Sequence, residues 1–323
     1  MKTKILITGG SGFLGTNLVD YYHKKKLDII NLDITAPKIE EHNSYFINCN
    51  LLDLEKMKNI INDFSPSHVV HLAARTDLDG KNLSDYEANT QGLYNLIESI
   101  KDLKVEKAIF TSSMLVCEAG YSPLNESDFS PTTPYGESKA IGEKYIRDTL
   151  KEDLDWNIIR PTSLWGPWFN QPYSQFFDIL KNGVYVNISK YSSTKTFGYV
   201  ENAVFQIDKI LFSDSKIYNK EVFYIGDMPP INISIWANEI LYSLNKKPAL
   251  ALPFFMFKII ALAGDFLSLM GVSFPMSSFR LNNMTTDNIQ NLENTYSLAG
   301  EPPIKRSEGI IKTLEWMSSR DNL

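Results

Sequence analysis

Cysteine is scarce in this chain: Cys49 and Cys117 are its only two among 323 residues. Two thiols make no disulfide framework, so both are expected to be reduced and buried. Histidine is as sparse. His23, His42, His68 and His71 lie scattered, and with two distant cysteines they offer no metal-ligand spacing. His71 is expected to be a hydrogen-bonded core residue and His68 to begin a strand, with His23 and His42 solvated. An excess of basic charge is also missing. Lys and Arg number 32 against 38 Asp and Glu, for a net charge of -6, which argues against a nucleic-acid backbone as partner. Repeats and low-complexity tracts are absent.

Long apolar runs are few. The run behind Lys4 is too short for the core of a signal peptide, so a cytoplasmic location is expected. Leu250–Met270 reads LALPFFMFKIIALAGDFLSLM, broken by Pro253, Lys258, Gly264 and Asp265. A spanning helix needs about 20 mostly apolar residues. The interruptions favour a buried or surface-docked helix, and peripheral membrane contact is the less favoured alternative.

What is present is alternation. KILIT (Lys4–Thr8), DIINL (Asp28–Leu32), SYFIN (Ser44–Asn48), HVVHL (His68–Leu72), KAIFTS (Lys107–Ser112) and WNIIR (Trp156–Arg160) read as strands. Stretches of helical period such as Gly12–Lys25, Leu54–Phe64, Tyr86–Lys101 and Tyr135–Lys151 fall between most of them. This order predicts an α/β fold, a doubly wound parallel sheet of the Rossmann kind. Residues 1–167 form the expected dinucleotide-binding domain, with a later strand near 196–226 returning to it. Residues 168–323 form mainly a smaller substrate lobe. Ligands in such sheets bind beyond the carboxyl ends of the strands.

The first strand runs directly into Thr8-Gly-Gly-Ser-Gly-Phe-Leu-Gly15. Gly9 permits a tight turn, Gly12 lets backbone approach a pyrophosphate, and Gly15 lets the helix pack on the strand. The helix N-terminus offers unpaired N–H groups to the phosphates. Asp33 closes the second strand, 18 residues after Gly15. A carboxylate there accepts from a ribose diol and repels a 2′-phosphate, so NAD is expected rather than NADP.

TGGSGFLG resembles the TGxxGxxG signature of the extended short-chain dehydrogenase/reductase family, the NAD-dependent group of nucleotide-sugar epimerases, dehydratases and reductases. The resemblance covers nearly the whole chain. HLAA (His71–Ala74) is similar to the family's strand-four motif, and EANTQGLYNLIES (Glu87–Ser99) to the helix whose asparagine, here Asn89, braces the active-site strands. PYGESKAIGE (Pro134–Glu143) is similar to the segment bearing the catalytic Tyr–Lys pair, and FTSS (Phe110–Ser113) to the strand end bearing its serine. The resemblance implies a catalytic set of Tyr135, Lys139 and Ser113, with Ser112 second to Ser113. A tyrosine and a lysine four apart share a helical face. A free phenol, with a pKa of about 10, is a poor base, and a neighbouring ammonium favours its phenolate. Tyr135 can then take or return a hydroxyl proton as hydride moves.

The implied cofactor lining is Gly9, Gly12, Phe13, Leu14 and Gly15 of the turn, with Asp33, Asn50 and Leu51. Leu72, Ala73, Ala74 and Asn89 follow, then Thr111, Tyr135, Lys139 and Pro161. Asn50 stands where an adenine-contacting aspartate is frequent, and Asp53 reads as a helix N-cap. Arg75 and Thr76 point to the family's substrate side together with Ser113. RPTSLWGP (Arg160–Pro167) resembles the family's RPxxxYGP segment and contributes Ser163. Lys195 stands in the segment where an arginine grips the diphosphate, and Arg280 is a second candidate phosphate ligand. Dehydratases of this family carry an Asp–Glu pair where this chain has Met114-Leu115, so elimination is not expected.

The resemblance therefore implies a nucleotide-sugar 4-epimerase or 4-keto reductase serving surface polysaccharide synthesis, working as a homodimer through the Tyr86–Lys101 and Tyr135–Lys151 helices. Two alternatives stay open: an oxidoreductase or epimerase of hydroxysteroid-like or polyprenyl-linked-sugar substrates, and a non-catalytic NAD-sensing protein. The intact Tyr–Lys pair weighs against the last.

Overall fold

In a computed structural model of the chain, residues 2–150, 154–170, 173–272, 274 and 276–320 are described. Seven parallel strands form one sheet. Its order across is Val222–Ile225, Trp156–Pro161, Lys107–Thr111, His68–His71, Lys4–Thr8, Asp28–Asp33 and Phe46–Asn48. The expected strand at Ser44 begins only at Phe46, because Glu40–Tyr45 winds into a 3-10 turn. That turn buries His42, which was expected to be solvated, and faces it toward Asp20 at 3.7 Å.

The strands are apolar on both faces, as a sheet covered on both sides requires. Ile5, Ile7, Val70, Ile109, Ile159 and Phe223 pack on the helices Phe13–Lys24 and Val200–Leu211. Leu6, Val69, Phe110 and Ile158 face the other way, onto Leu54–Phe64, Glu87–Ile100 and Pro134–Thr149. Asp53 caps the first of these, its carboxylate accepting from the Lys56 N–H at 3.1 Å. Thr133 caps the last, accepting from the Gly136 N–H at 3.0 Å, and Pro134 fills its first position. Lys151, the expected end of that helix, lies outside the described residues. The two cysteines are buried free thiols.

After Pro161 the chain builds smaller units. Ser163–Trp165 pairs with Phe197–Tyr199, Thr194–Lys195 with Ile231–Asn232, and Val186–Ser189 with Leu250–Pro253. An aromatic cluster of Trp165, Phe169, Phe177, Tyr199 and Trp236 lies at the first two pairs, and the third packs on Phe257, Ala261 and Leu281.

Candidate active site

Strand order reverses between Lys4–Thr8 and His68–His71, the place where an open α/β sheet leaves a crevice beyond its strand ends. The glycine turn sits there. Gly9 has φ +75°, and a Cβ on it would meet the Ala73 nitrogen at 2.5 Å. A Cβ on Gly15 would fall 2.0 Å from the Gly9 carbonyl oxygen. Gly12 differs: its nearest neighbour would be that same oxygen at 3.3 Å, with nothing else close. The space beside Gly12 is therefore open, and no side chain caps the N-terminus of the Phe13–Lys24 helix. Asp33 stands at the rim, its carboxylate accepting from the N–H groups of Ser11 (3.0 Å) and Thr35 (2.9 Å). An open cradle at an uncapped helix start, with a carboxylate beside it, fits a dinucleotide's pyrophosphate and ribose.

The two kinds of glycine predict two phenotypes. Gly15→Ala forces backbone against backbone and should destabilise the fold by roughly 1–3 kcal/mol. Gly12→Ala should melt near the parent temperature yet bind NAD at least about tenfold more weakly, since its methyl occupies the phosphate approach. Thermal melts alongside NAD titration separate the two. Equal melting and equal NAD affinity in both variants would refute the assignment.

Tyr135 and Lys139 lie in the first turns of the Pro134–Thr149 helix, both buried. The Lys139 Nζ donates to the Thr111 carbonyl at 2.9 Å, which ties the helix to the end of its strand. Burial lowers the Lys139 pKa to about 8, and the charge of Glu143 opposes that shift. The Tyr135 ring packs on Tyr86, centroids 5.9 Å apart. Ser138 donates to the Tyr135 carbonyl at 2.7 Å and accepts from the Asn89 amide at 3.1 Å. That amide also donates to the Arg75 carbonyl, and its oxygen accepts the Arg75 N–H. Asn89 thereby joins the segment after the fourth strand to the helix of Tyr135. His71 is buried, its Nδ1 2.7 Å from the Thr8 hydroxyl, and burial with Lys139 close by lowers its pKa to about 3. It is a neutral core histidine.

The two serines divide their work. Ser112 donates to Glu143 at 2.5 Å. Ser113 accepts from the Leu115 N–H at 3.1 Å, which leaves its own proton to be donated. Sequence reasoning passed over Glu143. It follows Tyr135 and Lys139 at the same four-residue interval on one helix face, and that spacing is the signal that would have found it. Its carboxylate forms a bidentate pair with Arg160, 2.8 and 2.9 Å, both side chains 1% exposed. A cavity of about 10 Å³, close to the room one water needs, lies among His71, Asn89, Thr111, Ser112, Lys139 and Glu143. The Thr111 hydroxyl is buried beside it without a hydrogen-bond partner in the protein.

Phe13 and Leu14 lie in the first turn after Gly12. Leu72 donates to the Thr8 carbonyl, and Ala73 and Ala74 follow it. Asn50 turns its amide oxygen to the Leu52 N–H at 3.0 Å, and Leu51 is buried. Pro161 ends the strand beside the Val222–Ile225 edge. On the substrate side, the Arg75 guanidinium lies across Asp77 at 2.8 and 2.9 Å, next to Thr76. Ser163 is buried in its short strand. Lys195 forms a β-bridge with Asn288, whose amide reaches the Met114 sulfur at 3.9 Å, so its strand lies beside the turn after Ser113. Burial lowers the Lys195 pKa. Arg280 is exposed on the Ser278–Thr285 helix.

The NAD dependent epimerase/dehydratase family model matches residues 5–226. A dTDP-D-glucose 4,6-dehydratase of Dictyostelium discoideum is 30% identical over 64% of this chain and 55% of its own length. The N-acetyl-alpha-D-glucosaminyl-diphospho-ditrans,octacis-undecaprenol 4-epimerase of Escherichia coli O157:H7 is 26% identical over 98% of this chain and 96% of its own. Among solved structures, the Thermotoga maritima UDP-glucose 4-epimerase with UDP-glucose superposes with a TM-score of 0.76. It is 22% identical and covers 98% of this chain and 99% of that one.

Proposed function

This chain belongs to the NAD-dependent epimerase/dehydratase family, and we propose that within it the protein is a nucleotide-sugar 4-epimerase or 4-keto reductase. The observation that carries this reading is the placement of Tyr135 and Lys139, buried on one helix face and tied to the strand end at Thr111. NAD supplies the hydride acceptor and donor when bound. The chain's own part is proton handling. Ser113 donates a hydrogen bond to the reacting oxygen, Tyr135 takes the hydroxyl proton as the carbinol is oxidised, and it returns the proton on reduction. The Lys139 ammonium favours the phenolate. Met114 and Leu115 occupy the short turn beyond Ser113 and supply neither acid nor base, which disfavours elimination.

Residues 1–167 with the Val222–Ile225 strand serve the cofactor in this reading, and 168–323 mainly the sugar nucleotide. Ser163 and Lys195 are the substrate contacts of this reading. Lys195 supplies charge to a diphosphate without an arginine's fork. The Glu87–Ile100 and Pro134–Thr149 helices, joined by Tyr94 and Tyr145 rings 4.0 Å apart, form the face of a homodimer. A cytoplasmic role in polysaccharide synthesis accords with this substrate class.

One observation favours a second reading, a sugar carried on a polyprenyl diphosphate: a relative that spans nearly the whole chain is named for that substrate, although another of equal span is named for a sterol. Incubation with UDP- and dTDP-sugars and with a polyprenyl-diphosphate-linked sugar, with and without NADH, tests the proposal. Epimer formed without added cofactor identifies an epimerase, and NADH consumed with a 4-keto sugar identifies a reductase. Turnover of the lipid-linked sugar alone selects the second reading. Inertness toward all of them, with NAD bound, overturns both.

A further inference from the structure

Leu250–Met270 was expected to be buried or docked on the protein surface, and its Phe254–Leu269 helix is docked by one side only. Phe257, Ala261 and Gly264 alone are buried, a narrow stripe one side wide. The opposite face carries Phe255, Ile259, Leu262, Phe266 and Leu269, exposed by 62, 62, 64, 64 and 87%. Their spacing of four, three, four and three residues places them on a single line along the helix. Met256 and Ile260 widen the band, and Leu250, Met270, Val272 and Phe274 extend it past both ends. Scattered exposed apolar residues are ordinary; a continuous apolar band marks a contact surface.

We propose that this band is a bilayer-docking surface, with the helix lying in the plane of the membrane. The helix has 16 residues, and no helix among the described residues is long and apolar enough to cross a membrane. It can lie in an interface without spanning it. Charge identifies the occupant as an anionic lipid surface. Between residues 244 and 283 the chain has Lys246, Lys247, Lys258 and Arg280 against Asp265 alone, a net +3. The whole chain is -6, so the remainder carries -9. A basic stretch of an acidic protein therefore brackets this apolar band, the combination that binds anionic headgroups above an acyl layer. Lys258 lies 5.0 Å over the Phe254 ring, its stem along the apolar helix and its ammonium outward. The Asp265 carboxylate accepts from the Ser278 N–H at 3.0 Å, turned to the protein side. A second copy of the chain would bring +3 against +3 across the same face, which disfavours self-association there.

Vesicle flotation tests the proposal on the whole 323-residue chain, independently of substrate, because the vesicles contain no sugar-linked lipid. The parent protein should float with phosphatidylglycerol/phosphatidylethanolamine vesicles and release at least about tenfold more protein with phosphatidylcholine alone. Ile259→Asp/Phe266→Asp should remain soluble in both while keeping the parent's melting temperature and NAD binding. A parent protein that ignores anionic vesicles at low salt overturns the proposal, as does a double variant that floats like the parent. So does a parent dimer that this variant converts to monomer, which would assign the band to a second copy.

Discussion

Tyr135→Phe should lower turnover by about 10²–10⁴-fold while leaving NAD bound and the fold unchanged, the usual share of one general acid–base group. The ring remains to pack on Tyr86 at 5.9 Å, so only the reacting oxygen is lost. Turnover and NAD content measured on the same preparation decide it; parental activity in the variant would end the assignment. Lys139→Met should also abolish most activity, and its stability should move the other way. An ammonium 6% exposed, with its pKa lowered from 10.5 to about 8, is held at a cost in the folded state. The folded pKa lies below the unfolded one, so between about pH 8 and 10.5 the unfolded chain binds more protons and stability rises with pH. Below pH 8 the cost is present in full. At pH 7 the methionine variant should therefore be more stable by about 1–3 kcal/mol, the lower part of that range allowing for the Thr111 carbonyl that loses its donor. The gap should narrow as pH rises toward 10.5. Denaturant melts at pH 7 and 10 read both; a variant less stable than the parent at pH 7 would show that the ammonium is not strained.

The residues of that prediction were legible because their signals are local. A glycine turn between strand and helix, and a tyrosine and lysine four apart, each fit within one stretch of chain, where periodicity and spacing carry the geometry. The signals that failed depend on what lies opposite. His42 reads as polar in an acidic stretch, yet a 3-10 turn packs it against the first helix. Leu250–Met270 is apolar on more than one side despite Lys258 and Asp265, and hydrophobicity alone does not say which face packs on the protein. Arg160 was read as the opening of a substrate segment. Its side chain instead turns back to Glu143, a contact between a strand and a helix 17 residues apart in sequence.

That buried pair sets the second large effect. Glu143→Gln should destabilise the protein by about 3–5 kcal/mol, the cost of leaving a buried charge without its counterion. Burial opposes the Arg160 charge, and in the parent Glu143 and Tyr224 outweigh it; a guanidinium does not lose its proton at ordinary pH, so the charge stays when the carboxylate is removed. Glutamine can accept one of the guanidinium's two parallel hydrogen bonds and does not neutralise its charge. A melting temperature lower by roughly 10 °C is expected on the scale of large domains. Glu143→Leu/Arg160→Met removes both charges and should recover more than half of the loss, since apolar pairs replace buried ion pairs with little penalty. Activity gives a readout that packing alone would not move. The Glu143 carboxylate supports the charge of Lys139, one turn away, so its loss lowers the lysine pKa further below about 8. The ammonium that favours the Tyr135 phenolate is then lost at lower pH, and the alkaline limb of the kcat profile should shift to lower pH in Glu143→Gln. A variant that melts lower with an unmoved pH profile would reduce Glu143 to a structural anchor. One that shifts the profile at equal stability would show that the ion pair serves the chemistry and contributes little to the fold.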